Sequence, residues 1–379
     1  MTYTSKSTQC VHSGTVDDTI NQGINTPIFT STAYAYLDKS QHLYPRYFNT
    51  PNQKAVIDKV CALEHAEAGL LFSSGMAANT TALLSLLQKG DHIVFPREIY
   101  GGTQYLAMHE LGKFGIEFSF TKGNAVEDFA QQIRSNTRII YLETPSNPLL
   151  TITDLAAVAD LAKSKGILTA IDNTFASPIN QNPIDFGIDV VMHSGTKYLG
   201  GHSDISCGVI VSSQRLISVI YQSALCFGGV LSSETCYLLE RSLKTLHIRV
   251  MRQNENALFL AQSLQTHRGI AQVFYPGLES HPGHSIAQKQ MKNFGGMLSF
   301  DLKGNNPEAF LHSLQLIQPV MSLGGIESTI MQPSATSHAM LSEEERLALG
   351  ITDRIMRLSV GIEEATDLLT DIEQALEKG

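Results

Sequence analysis

The chain has 379 residues, of which 43% are hydrophobic and 17% are charged, as is typical of a globular protein with a large core. Its formal net charge of −9 at pH 7 argues against a nucleic-acid partner, since nucleic-acid-binding surfaces carry an excess of Lys and Arg. The five cysteines are odd in number and scattered, which argues against a disulfide framework or a zinc site and favours a reducing compartment.

The first 52 residues are rich in Thr, Tyr, Asn and Pro and show little hydrophobic periodicity. They contain no apolar core of a signal peptide, and no apolar run in the chain approaches the roughly 18 residues of a membrane span. We therefore interpret residues 1–52 as an arm without a core of its own, and we expect a cytoplasmic protein that does not enter a membrane.

From residue 53 onward, short apolar runs alternate with helical patterns. A helical pattern over 53–67 comes first, and further helical segments over 76–88, 103–114 and 154–165 lie among the strand-like runs DHIVFP, FGIEFSF, RIIYLE, ILTAID, DVVMHS and GVIVSS. This alternation predicts an α/β fold whose mostly parallel central sheet is covered on both faces by helices. We assign 53–247 to a large domain. Long helical material over 233–265 leads into a smaller C-terminal α+β domain over 248–379.

Three of the predicted strands end in polar residues. RIIYLE ends at Glu143, ILTAID ends at Asp172, and DVVMHS leads through Ser194 and Thr196 to Lys197. Ligands bind beyond the carboxyl ends of the strands in parallel α/β sheets. A lysine, with an ordinary pKa near ~10.4, becomes a nucleophile toward an aldehyde when burial and nearby cations lower that pKa. Two carboxylates and one lysine at successive strand ends therefore predict a site around Lys197.

A turn of small residues supplies a candidate phosphate site. Ser73, Ser74 and Gly75 precede a helix that we predict to begin near Met76. Free N–H groups and the positive end of the helix dipole attract anions at such a point, although an ordinary Ser N-cap has the same sequence. The GxGxxG and GxxxxGK[ST] patterns of nucleotide-binding loops do not occur. A lysine beside a phosphate site is what pyridoxal phosphate (PLP) requires.

The motifs SSGMAA, YGGT, ETPSNP, DNTF, SGTKYLGGH and RLSVGIE occur in this order over nearly the whole chain. As an ordered set they resemble the Cys/Met-metabolism group of PLP enzymes. That group includes cystathionine γ-synthase, cystathionine γ-lyase, methionine γ-lyase and homoserine sulfhydrylases. The resemblance implies the aspartate-aminotransferase-like fold (fold type I), pyridoxal 5'-phosphate as cofactor, and a homotetramer of two catalytic dimers with shared active sites.

The resemblance also implies roles for individual residues in binding the cofactor. Lys197 matches the lysine that joins PLP covalently and then moves protons. Asp172 matches the carboxylate that faces the pyridine nitrogen, and Tyr100 matches the tyrosine that stacks on the ring. Further cofactor contacts, the last two reaching the neighbouring subunit, are implied for Gly75, Met76, Ser194, Thr196, Tyr44 and Arg46.

Substrate contacts follow from the same resemblance. Arg357 matches the arginine that clamps the α-carboxylate through a bidentate fork. Asn147 and Ser322 match residues that assist around this carboxylate and the cofactor. Glu143 is implied to support the site from behind or to be purely structural.

Some positions depart from the family pattern. Leu43 and Met321 stand where cystathionine-processing relatives carry acidic residues, and Tyr105 replaces an arginine that is frequent after YGGT. The arm reads YPRYFNTP in place of Tyr-Ser-Arg-x-x-Asn-Pro-Thr. Together, Leu43, Tyr47, Phe48, Tyr105 and Met321 predict an apolar pocket for a short uncharged thioether or acyl tail. Gly102 replaces the cysteine that methionine γ-lyases have, which weakens an assignment to that one enzyme.

The expected function is a PLP-dependent trans-sulfuration enzyme that cleaves the γ-substituent of an L-homocysteine- or homoserine-type amino acid. Elimination by a carbon–sulfur lyase is the main hypothesis. One alternative is γ-replacement, as in cystathionine γ-synthase or an O-acylhomoserine sulfhydrylase. A further alternative is a scaffold that keeps the fold and has lost catalysis, which the presence of the lysine, the aspartate and the arginine argues against.

Two other features receive structural interpretations. The spacing of His281 and His284 in SHPGH is compatible with metal ligands, but no third ligand is near them in the sequence, and we expect no metal. The acidic run over 342–346 is interpreted as the solvated start of a helix.

Overall fold

A computed structural model describes residues 3–304, 306–339 and 341–378. The N-terminal segment contains helix α1 (Lys6–His12), an extended stretch and a 3-10 turn (Pro45–Tyr47), and it leads into helix α2 (Pro51–Glu64). Thr50 caps α2 in a capping box with Gln53, and Pro51 occupies the first helical position, where its missing N–H is not needed. Helix α1 packs on α2, where Lys6 donates to the carbonyl of Leu63.

A seven-stranded sheet follows. Its strands are β1 (Ala68–Phe72), β2 (His92–Phe95), β3 (Glu117–Phe120), β4 (Thr137–Glu143), β5 (Leu168–Asp172), β6 (Val190–Ser194) and β7 (Gly208–Ser212). The order across the sheet is β1-β7-β6-β5-β4-β2-β3, with β7 antiparallel to both of its neighbours and the other pairs parallel. The predicted, mostly parallel central sheet is therefore confirmed.

Helices connect these strands and cover the sheet. They are α3 (Gly75–Leu86), α4 (Gly101–Tyr105), α5 (Val126–Gln132), α6 (Leu155–Lys165), α7 (Ser177–Asn180), α8 (Gln214–Phe227) and α9 (Ser233–Leu243). After α4 the chain passes through a π turn (Leu106–Glu110) and a 3-10 turn (Leu111–Phe114), where the sequence predicted one helix over 103–114. A 3-10 turn (Pro183–Phe186) precedes β6.

Both faces of this sheet are buried. Alternate residues of β6 point to opposite faces: Val191 belongs to one apolar cluster, and Val190 and Met192 belong to the other. Helices α2 and α6 contribute to the first cluster and helices α3 and α8 to the second. This two-sided burial explains why the strands read as continuous apolar runs in the sequence.

A smaller sheet completes the chain. Its strands are β8 (Ile270–Phe274), β9 (Met297–Leu302), β10 (Gln318–Pro319), β11 (Thr329–Met331) and β12 (Ile355–Ser359), in the order β10-β11-β12-β9-β8. The accompanying helices are α10 (Leu246–Gln265), α11 (His284–Gln290), α12 (Pro307–Ser313), α13 (Glu343–Ala348) and α14 (Ala365–Lys378), with a 3-10 turn at Pro333–Ala335.

Helix α10 joins the two sheets. Val250, near its start, packs in the core of the large sheet, and Leu260, further along, packs in the core of the small sheet. The predicted domain boundary at residue 248 lies near the start of this helix. The acidic run begins α13 as expected, with Ser342 as its N-cap accepting from the N–H of Glu345. Within the described ranges, no helix is long and apolar enough to span a bilayer.

Candidate active site

A cavity of about 490 Å³ lies at the carboxyl ends of β4, β5 and β6, where the loop before β11 and strand β12 of the small sheet approach them. It is lined by residues that the sequence predicted: Gly75, Met76, Tyr100, Asn147, Asp172, Ser194, Thr196, Lys197, Met321, Ser322 and Arg357. Ser74 of the predicted phosphate turn and Glu143 of the predicted strand ends also line it, as do Asn79, Thr174, Phe175, Leu323, Met331 and Ser337. Both sheets therefore contribute side chains to one site.

Lys197 follows β6 in a tight turn. The N–H of Lys197 donates to the carbonyl of Ser194 (3.1 Å), and any Cβ at Gly195 would lie 2.5 Å from the Sγ of Cys207. The amine donates to the hydroxyl of Ser322 (3.0 Å). Burial, and secondly the charge of Arg357, lower the pKa of Lys197. The amine is thus held at the cavity and more of it is neutral at a given pH than for a free lysine.

Asp172 is the last residue of β5. Its Oδ1 accepts hydrogen bonds from the N–H of Thr174 (3.0 Å) and from the Thr174 hydroxyl (2.5 Å). Burial raises the pKa of Asp172, and the two bonds from Thr174 oppose that effect. Within the described residues Oδ2 has no hydrogen-bond partner. A protonated ring nitrogen facing Oδ2 would pair with it and favour the ionised carboxylate, which fits the expected cofactor.

The start of α3 forms an anion cradle. Ser74 accepts from the N–H of Ala77 (3.1 Å), so this cap leaves the N–H groups of Gly75 and Met76 without an acceptor inside the helix. Any Cβ at Gly75 would lie 2.9 Å from Cβ and 3.1 Å from Oγ of Ser194, so glycine is what admits the Ser194 hydroxyl. The absence of a side chain there leaves room for a phosphate.

Thr196 has a different environment from Ser194. Its hydroxyl oxygen accepts from the N–H of Cys207 (3.1 Å) and lies 3.3 Å from the Cys207 carbonyl. The hydroxyl is therefore engaged with the backbone, although the residue lines the cavity. Its expected contact with a phosphate stays a prediction.

Tyr100 lies at the start of α4 with its ring half exposed toward the cavity. Its N–H donates to Oε2 of Glu143 (2.7 Å), which fixes the backbone beneath the ring. Any Cβ at Gly102 would lie 2.5 Å from the ring carbon Cε1 of Tyr100, so the ring rests on a position that has no side chain. Burial, with a further contribution from Asp172, raises the pKa of Glu143 well above its ordinary value.

Arg357, on β12, is the buried cation of the cavity. NH1 donates to Oδ1 of Asn147 (2.7 Å) and NH2 to the carbonyl of Ser322 (3.3 Å), while the buried Nε has no hydrogen-bond partner. Only 4% of the residue is exposed, and burial lowers its pKa to about 10, so it is cationic at pH 7. A carboxylate at Nε would satisfy this orphaned donor with the fork geometry that arginine favours.

The other predicted residues lie elsewhere on this chain. Within the described residues, Tyr44, Arg46, Leu43 and Tyr105 do not line the cavity. Arg46 lies over the rings of Tyr44 and Tyr47, at 5.8 and 5.5 Å from their centroids, and donates to the carbonyl of Leu225. Their expected contacts with a neighbouring subunit stay predictions.

The residues expected to form an apolar pocket do not lie together on this chain. Phe48 packs against Phe72, with ring centroids 5.3 Å apart, and Tyr105 packs against His109 with centroids 4.4 Å apart and the rings tilted by 36°. Met321, which is 70% exposed, does line the cavity. On this chain the apolar lining is supplied by Phe175, Leu323 and Met331 instead.

Sequence reasoning assigned no role to Thr174 or Ser337. Thr174 follows Asp172 in DNTF, and the strand-end argument that selected Asp172 applies equally to its neighbour. Ser337 lies in a loop after β11 that carries no periodic pattern, and nothing in the residue run marks it.

No group of three or more His, Cys, Asp or Glu side chains within the described ranges could hold a metal ion. In SHPGH, His281 accepts through Nδ1 from the N–H of Gly283 (3.0 Å).

Comparisons with known proteins bear on this site. The family model described as Cys/Met metabolism PLP-dependent enzyme matches residues 7–377. Cystathionine gamma-lyase of Bacillus subtilis is 43% identical over 98% of this chain and 99% of its own, and cystathionine beta-lyase of Lactococcus lactis subsp. cremoris is 41% identical over 99% and 100%. The crystal structure of cystathionine gamma-lyase from Lactobacillus plantarum complexed with L-serine matches at 38% identity and a TM-score of 0.95, covering 99% of both chains.

Proposed function

Because the chain belongs to the Cys/Met metabolism PLP-dependent enzyme family and is therefore a PLP enzyme, we propose that it is a carbon–sulfur γ-lyase of trans-sulfuration. In the proposed reaction, an L-homocysteine-type thioether and water give a thiol, 2-oxobutanoate and ammonia. The observation that carries the proposal is the convergence of Lys197, Asp172 and Arg357 on one cavity.

The cofactor would be held by residues that already surround the cavity. When bound, PLP supplies an electrophilic aldehyde and a ring that withdraws electrons from the α-carbon of an amino acid. The N–H groups at Gly75 and Met76 and the hydroxyl of Ser194 would hold its phosphate. Asp172 would hold a proton on the ring nitrogen through Oδ2, and Tyr100 would stack on the ring.

The substrate would be oriented by the buried arginine. The guanidinium of Arg357, whose buried Nε has no partner, would pair with an α-carboxylate, and Asn147 holds the guanidinium in place through NH1. Since Arg357 lies on the small sheet and Lys197 in the turn after β6 of the large one, a carboxylate bound at Arg357 would lie across the cavity from the large sheet.

Proton transfer is assigned to Lys197. A γ-elimination removes protons from the α- and β-carbons and returns one to the leaving sulfur. Lys197 carries the one amine among the described residues that line the cavity, and burial lowers its pKa, so that more of the amine is neutral and able to accept a proton. The hydroxyl of Ser322 accepts a hydrogen bond from that amine, and this bond would break when the substrate enters.

The proposed substrate has a short uncharged thioether tail. Phe175, Met331 and Met321 line the cavity, and no carboxylate side chain lies at position 321 to pair with a distal ammonium group. Against these apolar side chains a methyl or similar group would be favoured, since a charged amino-acid head would lose hydration there without gaining a partner at position 321.

A substrate panel with product identification tests the proposal. L-methionine, L-cystathionine and an O-acylhomoserine are each supplied with and without an added thiol. A γ-lyase releases 2-oxobutanoate from a thioether with no acceptor. Release of pyruvate from cystathionine would show β-elimination, the reaction named for the Lactococcus relative, and consumption of only O-acylhomoserine plus thiol would show γ-replacement. Either result would overturn the γ-lyase assignment.

We also propose a cytoplasmic homotetramer whose active sites are shared between subunits. The arm exposes large apolar side chains, among them Ile20 (88%), Ile24 (88%) and Leu37 (69%), which a neighbouring subunit would cover. The five cysteines, none of them in a disulfide, fit a reducing compartment.

Complementation tests the shared site. The variants Arg46→Ala and Lys197→Ala would each be inactive alone. Refolded or co-expressed together, mixed dimers would contain one site with an intact arm from one subunit and an intact lysine from the other. Recovered activity supports the shared site, and its absence in proven mixed oligomers contradicts it.

A further inference from the structure

A buried carboxylate lies behind the candidate active site. Glu64 is the last residue of α2 and is fully buried. Its Oε1 accepts from the amide of Asn173 (2.9 Å) and lies 2.6 Å from Nε2 of His193. Because a carboxylate oxygen accepts, Nε2 carries the proton in this pair. Asn173 and His193 are themselves 0% and 2% exposed, so water does not reach these contacts.

The three residues lie on the reverse side of the strands that carry the catalytic groups. Asp172 and Ser194 face the cavity, and the side chains next to them in sequence, Asn173 and His193, point to the opposite face, as strand geometry requires. On the cavity side, the hydroxyl of Thr174 donates to Asp172 and accepts from the N–H of Ser194 (2.8 Å). The ends of β5 and β6 are therefore tied on both faces.

The buried tie extends to a third strand. The amide of Gln181 donates to Oδ1 of Asn173 (2.9 Å) and to the carbonyl of Thr144 (3.0 Å), just after β4. Asn182 donates to the second oxygen of Glu64 (3.3 Å). One hydrogen-bonded network thus crosses beneath the three strand ends from which Glu143, Asp172 and Lys197 extend.

We propose that Glu64, Asn173 and His193, the Glu64 brace, are positioning residues that set the separation between the Asp172 carboxylate and the Lys197 amine. A buried carboxylate is costly unless it is fully hydrogen-bonded, and apolar residues of similar size would fill the same space at lower cost. The brace adds side-chain bonds where the backbone ladder between β5 and β6 ends: beyond the bond from the N–H of Asn173 to the carbonyl of Met192 (2.9 Å), the two strand ends are joined through side chains. It acts through the two catalytic side chains and does not touch the cavity.

The inference rests on the proposed function for its activity readout, and a pair of variants at one position tests it. His193→Gln keeps an N–H donor at nearly the position of Nε2 but cannot carry charge, and His193→Leu removes the donor. His92→Leu is the matched control. His92 is also a fully buried histidine of this sheet, hydrogen-bonded to Thr137 (2.9 Å) and Ser119 (3.0 Å), but it does not line or adjoin the cavity.

Three quantities are measured on each holoenzyme: kcat and KM, PLP content, and the visible circular dichroism of bound PLP, which reports its orientation. We expect His193→Leu to lower kcat by roughly 10- to 100-fold, since a misplacement of about 1 Å costs up to about 10²-fold. KM should change less, because Arg357 lies on another sheet. The dichroism should weaken in His193→Leu, and His193→Gln and His92→Leu should keep the wild-type signal per bound cofactor.

A folded His193→Leu enzyme with wild-type kcat and dichroism would overturn the inference, and so would a His193→Gln enzyme as impaired as His193→Leu. If His193→Leu does not fold, Asn173→Ala decides in the same way, since it removes the other donor to the same oxygen. A wild-type enzyme that binds PLP but cleaves no carbon–sulfur bond would refute the proposed function. The dichroism measurements would still test the Glu64 brace, because they require only bound PLP.

Discussion

Replacing Arg357 with Ala tests how the substrate carboxylate is held. Arg357 is 4% exposed, its guanidinium donates to Asn147 and to the carbonyl of Ser322, and its Nε is unpaired. Removing one partner of a buried, hydrogen-bonded charge pair costs about 2–5 kcal/mol. At about 1.36 kcal/mol for each tenfold change, kcat/KM should fall by roughly 30- to 5,000-fold.

Most of that loss should appear in KM. The carboxylate stays bound while the γ-substituent leaves, so its clamp contributes to substrate and transition state alike. PLP content should be unchanged, because none of the proposed cofactor contacts is made by Arg357. Arg357→Lys is the control, because it keeps the charge but loses the fork. Its kcat/KM should lie between those of the wild type and Arg357→Ala. An unchanged KM, or loss of the cofactor in Arg357→Ala, would refute the assignment.

Three further predictions concern the cofactor side of the cavity. Asp172→Asn should bind PLP but have a kcat about 10- to 150-fold lower, because it loses a charge-assisted hydrogen bond of about 1.5–3 kcal/mol. A normal rate constant in single-turnover kinetics would contradict this prediction. Gly75→Ala should weaken PLP binding by roughly 5- to 150-fold through overpacking of about 1–3 kcal/mol against Ser194, whereas Gly112→Ala, in open space, should bind PLP normally in a cofactor titration. Burial raises the pKa of Glu143 in the folded, cofactor-free protein. Above about pH 4.3 the unfolded state loses a proton that the folded state keeps, so this group lowers the stability of the folded state as pH rises. Glu143→Gln should therefore raise Tm at pH 8 more than at pH 4, while Glu143→Ala should lower kcat by freeing the backbone of Tyr100; equal shifts of Tm at both pH values would contradict the reasoning.

The large sheet and the polar residues at its strand ends could be predicted because the signals are local. Alternating apolar runs and helices indicate a parallel sheet, and such a sheet gathers Glu143, Asp172 and Lys197 at one edge. The helix expected over 103–114 was only partly right. The chain forms a π turn after Tyr105. The apolar residues that suggested a helix still pack in the core of the large sheet, but with a different turn geometry.

The part of the cavity supplied by the small sheet could not be read from local pattern. Ser322 and Arg357 came from resemblance to a family, and residue spacing contains no signal that they approach Lys197. The Glu64 brace was not predicted at all. Glu64 and His193 are 129 residues apart in sequence, and either one alone is compatible with an ordinary buried or exposed polar side chain.

The expected apolar pocket fails on a single chain for a physical reason. Leu43 belongs to an arm without a core of its own, and no described contact brings it to the cavity of its own chain. Tyr105, the last residue of α4, packs against His109 and is 55% exposed, on the outside of the same helix whose first residues support Tyr100. Whether these side chains complete the cavity of a neighbouring subunit is decided by the complementation experiment proposed above.

The measurement that tests the central claim most directly is the identity of the lysine that holds the cofactor. The purified protein is reduced with borohydride, digested, and mapped by mass spectrometry, with Lys197→Ala as the control. A single peptide carrying the reduced PLP adduct on Lys197, absent in the control, is the predicted result. An adduct on another lysine, or a wild-type protein that takes up no PLP when it is added, would contradict it.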